Sequence, residues 1–87
     1  MTATQAYSIL TIKNPGVQTG KCYEFDSVFV FELKPAMLRL SKNPGVMLDG
    51  SICVNKKTGM VRDFKPFHIP ADEYRRGVLI PESVYKR

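Results

Sequence analysis

The run Val28–Phe29–Val30–Phe31 is the feature that most limits what this chain can become. β-Branched and aromatic residues favour extended backbone, and side chains alternate between the two faces of a strand. Four apolar residues in a row therefore demand cover on both faces. Val28 to Leu33 is read as one strand, either central in a sheet or covered on its second side by another copy of the chain. Glu32 ends the apolar run, and Lys34–Pro35 punctuates it.

Turn signals divide the rest into short extended pieces. Tyr7–Ile12 reads as a strand, followed by Asn14–Pro15–Gly16, in which proline suits the first central turn position and glycine the positive φ of a type II turn. Lys21–Phe25 begins the next strand. Ala36–Lys42 is read as strand or irregular structure, because Asn43–Pro44 stops any helix there. Val46–Leu48 and Ser51–Val54 flank Asp49–Gly50 as a hairpin. Asn55–Gly59, "NKKTG", is a second hairpin turn leading into a strand over Met60–Phe64. "PADEYRRG", Pro70–Gly77, carries proline first, acids early, arginines late and glycine last, which describes a short capped helix. Val78–Ile80 is a last short strand. The pentapeptide KNPGV occurs at Lys13–Val17 and again at Lys42–Val46. It is read as shared turn chemistry rather than as an internal duplication.

These pieces make a mainly β chain with one short helix near the C-terminus. Eighty-seven residues are one domain, with residues 65–87 read as a C-terminal extension. A domain of this size buries about two-thirds of its unfolded surface, a thin core for which dimerisation is a common remedy. A homodimer is expected.

Thirteen Lys and Arg against eight Asp and Glu give a net charge of +5. That balance favours an acidic partner, nucleic acid being the commonest, and it also suits solubility alone. Two cysteines, Cys22 and Cys53, and a single histidine, His68, fall short of a zinc site. Two free thiols in a reducing cytoplasm are the simplest reading. The N-terminus has no signal-peptide pattern, and no apolar run is long enough to span a bilayer. There is no Gly-rich phosphate loop and no hydrolase or metalloprotease motif. His68 sits between Phe67 and Ile69 as a packed residue would, and Asp72–Glu73 suits a helix start better than a pair of catalytic carboxylates. Cys22 beside Lys21 lacks a second, positioned base. No catalytic residue, cofactor, metal, membrane contact or small-molecule substrate is expected.

Basic and aromatic residues interleave. Lys21, Tyr23 and Phe25 share one strand face, Arg62 and Phe64 alternate likewise, and the pairing returns at Tyr74–Arg75–Arg76 and Tyr85–Lys86–Arg87. Single-stranded nucleic acids are bound by this combination, because cations track phosphates and flat rings stack on bases of any sequence. Phe29 and Phe31 suit a core equally well.

The stretch "GKCYEFDSVFVF", Gly20–Phe31, resembles the single-stranded DNA-binding proteins of filamentous phages. Gly20, Lys21, Tyr23 and Phe25 match that family in type and spacing, and Cys22 stands where it has proline. The resemblance implies a five-stranded OB-type barrel that dimerises and coats phage single-stranded DNA during replication. It implies phosphate contact by Lys21 and base stacking by Tyr23 at the tip of a protruding hairpin, with Phe31 as a second aromatic. "ICVNKKTGMVRDF" is similar to the family's late hairpin, which joins two subunits or lies near the dyad, with Lys56 and Lys57 at its tip. Residues 65–87 have no counterpart in the family. The competing reading is a small interaction module of phage or bacterial origin that docks by an edge strand or by its C-terminal segment.

Overall fold

The computed structural model describes residues 1–34 and 51–86. Helix α1 spans Ala3–Lys13, and strands β1 Thr19–Glu24, β2 Val28–Leu33, β3 Ser51–Asn55 and β4 Val61–Asp63 follow. A 3₁₀ turn at Pro66–His68, helix α2 (Ala71–Arg75), strand β5 (Val78–Ile80) and helix α3 (Glu82–Tyr85) complete the chain. The five strands form one antiparallel sheet in the order β4-β3-β2-β1-β5. The protein is mainly β, with the expected short helix at Ala71–Arg75. Among the described residues, strands β4 and β5 lie at opposite edges, so the sheet is open rather than closed into a barrel. The readings of Ala36–Lys42, of the second KNPGV and of the Asp49–Gly50 hairpin fall outside the described residues.

The strand expected over Tyr7–Ile12 is helix instead. Thr2 and Gln5 form a reciprocal capping box: the Thr2 hydroxyl accepts from the Gln5 amide at 3.2 Å, and the Gln5 side chain accepts from the Thr2 amide at 2.8 Å. Ala3, Ala6 and Leu10 then recur at helical spacing and are buried together. Burying that stripe outweighs the weak strand preference of Ile9, Thr11 and Ile12. The turn after it is the expected one. Val17 donates its amide to the Asn14 carbonyl at 3.1 Å, and Gly16 sits at φ +84°, the left-handed position of a type II turn.

Strand β2 lies at the centre of the sheet, and both of its faces are covered by this chain. On one side Phe29 and Phe31 pack with Cys22, Val54 and Tyr85 under Ala3, Ala6 and Leu10 of α1. The rings of Tyr7, Phe31 and Tyr85 meet edge to face or tilted, with centroids 5.1–6.1 Å apart. On the other side Val28 and Val30 pack with Phe25, Cys53, Phe64 and Ile69. The double-sided apolar run thus finds its cover within one chain and leaves no exposed face to explain by a second copy.

The β3–β4 hairpin turns as its sequence requires. The Asn55 side-chain oxygen accepts from the amides of Lys57 and Thr58 at 2.8 and 3.0 Å, and Gly59 takes φ +72°. Residues 66–86 are integral to the fold. Strand β5 extends the sheet beside β1, and Tyr85 is fully buried in the main core. Cys22 and Cys53 are both free and lie on opposite faces of the sheet. Among the described residues, no helix is long and apolar enough to cross a membrane.

Candidate functional site

The sheet face away from α1 holds an aromatic-lined hollow that several elements build together. Tyr23 enters it from β1, where a register shift between Thr19 and Cys22 sets which residues face this side. Tyr23 pairs with Val30 of β2 and Leu79 of β5. Phe25, Phe64, Ser51, Tyr74 and Gly77 close the remaining walls around a cavity of about 290 Å³.

Helix α2 folds over this face because its acid reaches the β1–β2 turn. Glu73 is 8% exposed, and one of its carboxylate oxygens accepts both the Ser27 amide at 2.8 Å and the Ser27 hydroxyl at 2.6 Å. Arg76 adds an ion pair to Asp26 at 2.6 Å. Held this way, the Tyr74 ring stacks on Phe25 at 5.5 Å, and Phe25 stacks on Phe64 at 6.2 Å. Gly77 is needed beneath them, since a Cβ there would come within 2.4 Å of the Phe25 ring.

Tyr74 also lines a second, shallower groove with Phe67, Ile69, Ala71 and Arg75. Phe67 is 79% exposed and Tyr74 49%. Two solvent-facing rings therefore line this groove with the exposed Arg75, and Tyr74 is shared between the groove and the aromatic cavity. The charge is mixed, because Asp72 lies exposed on the same helix and Glu32 on the same side of β2.

The residues singled out in the sequence scatter across the molecule. Lys21 is exposed on β1. Tyr23 is half-buried in the middle of β1, not at a hairpin tip; the tip of that hairpin is Asp26–Ser27, closed by the Phe25 amide donating to Val28 at 2.9 Å. Phe25 is buried between Phe64 and Tyr74. Phe31 is fully enclosed on the α1 side, so its ring serves the core. Lys56 is ion-paired to Glu24 at 2.8 Å and lies 4.9 Å over the Phe29 ring. Lys57 does stand exposed on the β3–β4 turn. Arg62 is exposed on β4 opposite Cys53, on the cavity side of the sheet. Tyr23, Phe25 and Arg62 thus share a face, while Phe31 and Lys56 belong to the other.

Phe67 and Tyr74 were not among the residues singled out for binding. The Tyr74–Arg75–Arg76 triplet carried the signal for one of them; Phe67, inside Lys65–Ile69, carried none. His68 serves the local turn. Its Nδ1 accepts from the Lys65 amide at 3.2 Å, and its ring meets Phe64 and Phe67 edge-on. Cys22 is the reverse of an activated thiol, since burial and the nearby Glu24 push it up to about 12. Burial also raises Cys53, against the lowering effect of Arg62. Among the described residues, no group of His, Cys, Asp and Glu is placed to hold a metal ion. No family model matches this chain, and no curated protein or solved structure does.

Proposed function

We propose that the protein binds single-stranded nucleic acid without sequence preference, on the sheet face that carries Tyr23, Phe67 and Tyr74. The observation that supports this most is the exposure of the Phe67 and Tyr74 rings in a groove they line with Arg75, Tyr74 also lining the neighbouring aromatic cavity. Exposed rings offer stacking surfaces to bases of any kind, and guanidinium groups follow the phosphates. Arg62 and Lys21 extend the positive charge across β4 and β1. Coating of phage single strands during replication, by a dimer in the cytoplasm, follows from the resemblance of Gly20–Phe31 alone.

Titration with a labelled oligo-dT and with a duplex of equal length, at low and at moderate salt, tests the reading. The expected result is preference for the single strand and a steep loss of affinity with salt, about 0.7 in log–log slope for each phosphate neutralised. Equal affinity for the duplex, or no binding at low salt, would overturn it. A protein-docking role draws on a different observation, the outer edge of β5, which no other described strand pairs.

A further inference from the structure

The rings around the aromatic cavity are nearly parallel. Phe25 lies 7° from the plane of Phe64 and 26° from that of Tyr74, with centroids 6.2 and 5.5 Å away. Phe25, Val30 and Phe64 are buried and give the cavity an apolar floor, while Tyr23 and Tyr74 keep part of their surface in solvent.

Parallel ring faces suit a flat guest, which can continue the offset stack. A quaternary ammonium is better held by faces turned toward it from several sides, and the +5 charge of the chain opposes it. At about 290 Å³ the space lies at the small end for a ligand pocket and holds one ring system. The hydroxyls of Tyr23, Ser51 and Tyr74 belong to its lining. A hydroxyl both donates and accepts, so the edge of any base can be served.

The charges nearby set where an anion would go. Directly opposed residues form one row across this face: Arg62, Cys53, Val30, Tyr23 and Leu79. With two strand spacings between them, Arg62 is rooted about 10 Å from Val30. Arg75 lines the adjoining groove with Tyr74 and enters no ion pair among the described residues. Glu32 stands opposite Ser51 on the same face and turns phosphate away from that end.

We propose that the cavity takes one unstacked base of a bound single strand, its ring against the Phe25–Tyr74 wall and its flanking phosphates outside, toward Arg75 and Arg62. This rests on the nucleic-acid reading and goes further: Phe67 carries a base on the surface, whereas here a base leaves the strand and is enclosed. A single strand yields a base at less cost than a duplex, which must also break a pair. Enclosure therefore supplies part of the preference for single strands.

Titrating variants with the labelled oligo-dT tests the insertion. Ser51→Phe places a ring of the chain's own in the space and should lower affinity roughly 5- to 150-fold. Ser51→Thr keeps a hydroxyl and should bind as the wild type does. Where Ser51→Phe does not fold, the wild type decides. In nuclear magnetic resonance spectra, thymidine monophosphate should shift the Val30 and Gly77 signals saturably. Deoxyribose 5-phosphate, which has the phosphate without the ring, should not. A folded Ser51→Phe with wild-type affinity, or no difference between the two small phosphates, would overturn the insertion. The nucleic-acid reading would then stand, with Phe67→Ala still reporting stacking on the surface. No binding of oligo-dT by the wild type would remove that reading, and this one with it.

Discussion

The hydroxyls of Thr19 and Tyr85 lie 2.8 Å apart, with both residues fully buried though sixty-six positions apart in the chain. Tyr85 donates its proton to the Gly20 carbonyl, which leaves the Thr19 hydroxyl to donate to the tyrosine oxygen. Lys86 adds a bond to the Thr19 carbonyl at 2.7 Å. The last helical turn is thereby fastened to the irregular start of β1, where the register shift leaves backbone groups that the ladder does not serve.

Tyr85→Phe removes one member of that buried pair and leaves the Thr19 hydroxyl without its acceptor. A stranded buried polar group costs about 1–3 kcal/mol, and each kcal/mol moves Tm by roughly 4–8 °C in a domain of this size. Thermal unfolding should show that loss. Adding Thr19→Val should recover part of it, because removing both partners costs less than removing one. A single variant that melts with the wild type would show that the pair contributes nothing.

Phe67→Ala should separate binding from stability. The ring is largely in solvent, so stability should stay within about 0.5 kcal/mol of wild type. Loss of a stacking partner costs about 1–3 kcal/mol, roughly 5- to 150-fold in affinity for a single strand. Tyr23→Ala should lower both, since that ring also packs against the Phe25–Phe64 cluster, whereas Tyr23→Phe should keep most of the affinity. Arg75→Ala should make the salt slope shallower by about 0.7. Unchanged oligonucleotide affinity in folded Phe67→Ala would remove this ring from the interface.

Gly77→Ala tests the hollow itself. Its methyl group would meet Phe25 at 2.4 Å, and Phe25 is hemmed by Phe64 on one side and Tyr74 on the other. Overpacking of this kind costs about 1–3 kcal/mol. Denaturant unfolding should report it, together with a changed near-ultraviolet signal from the displaced rings. An unaltered midpoint would mean that the stack yields freely.

Stability should fall in alkaline solution. Burial raises Cys22 from 9.0 to about 12 and Tyr85 from 10.0 to about 12. Both are neutral when protonated, and the unfolded chain gives up these protons at a lower pH than the folded one. Their contribution is therefore fully present below about pH 9 and is lost as pH rises toward about 12. Urea midpoints should decline across that window, and Cys22→Ala should make the decline shallower. A flat profile would contradict the buried placement of both groups.

What the sequence disclosed was whatever neighbouring residues decide among themselves. Asn14–Pro15–Gly16 and Asn55–Gly59 specify their turns by φ preference and by a side chain bonding its own backbone. Val28–Leu33 is extended because no other element would cover four apolar residues on two faces. Tyr7–Ile12 deceived because its β-branched residues are locally persuasive, while the capping residues Thr2 and Gln5 and the Ala3–Ala6–Leu10 stripe lie mostly outside that window. The candidate site was less legible still. Tyr74 stands over Phe25 only because Glu73 reaches Ser27, forty-six residues away, and Phe31 leaves the binding face because Tyr23 pairs with its neighbour Val30, which puts Phe31 on the opposite side of the sheet. The open sheet has the same cause: β5 joins the outer side of β1, and nothing in its three residues names that neighbour.

The division of the two thiols between opposite faces gives the molecule a pair of internal clocks. Cys22 is 0% exposed and Cys53 2%, so each becomes reactive only when the layer above it lifts: α1 for Cys22, the Phe64–Ile69 segment for Cys53. Variants keeping one cysteine at a time, mixed with an excess of a thiol reagent under native conditions, would time the two openings separately. Equal rates would mean that the sheet loses both covers in one event. A faster Cys53 would mean that the aromatic side breathes while the helical side stays shut, and the rate would measure how often the cavity changes shape without the protein unfolding.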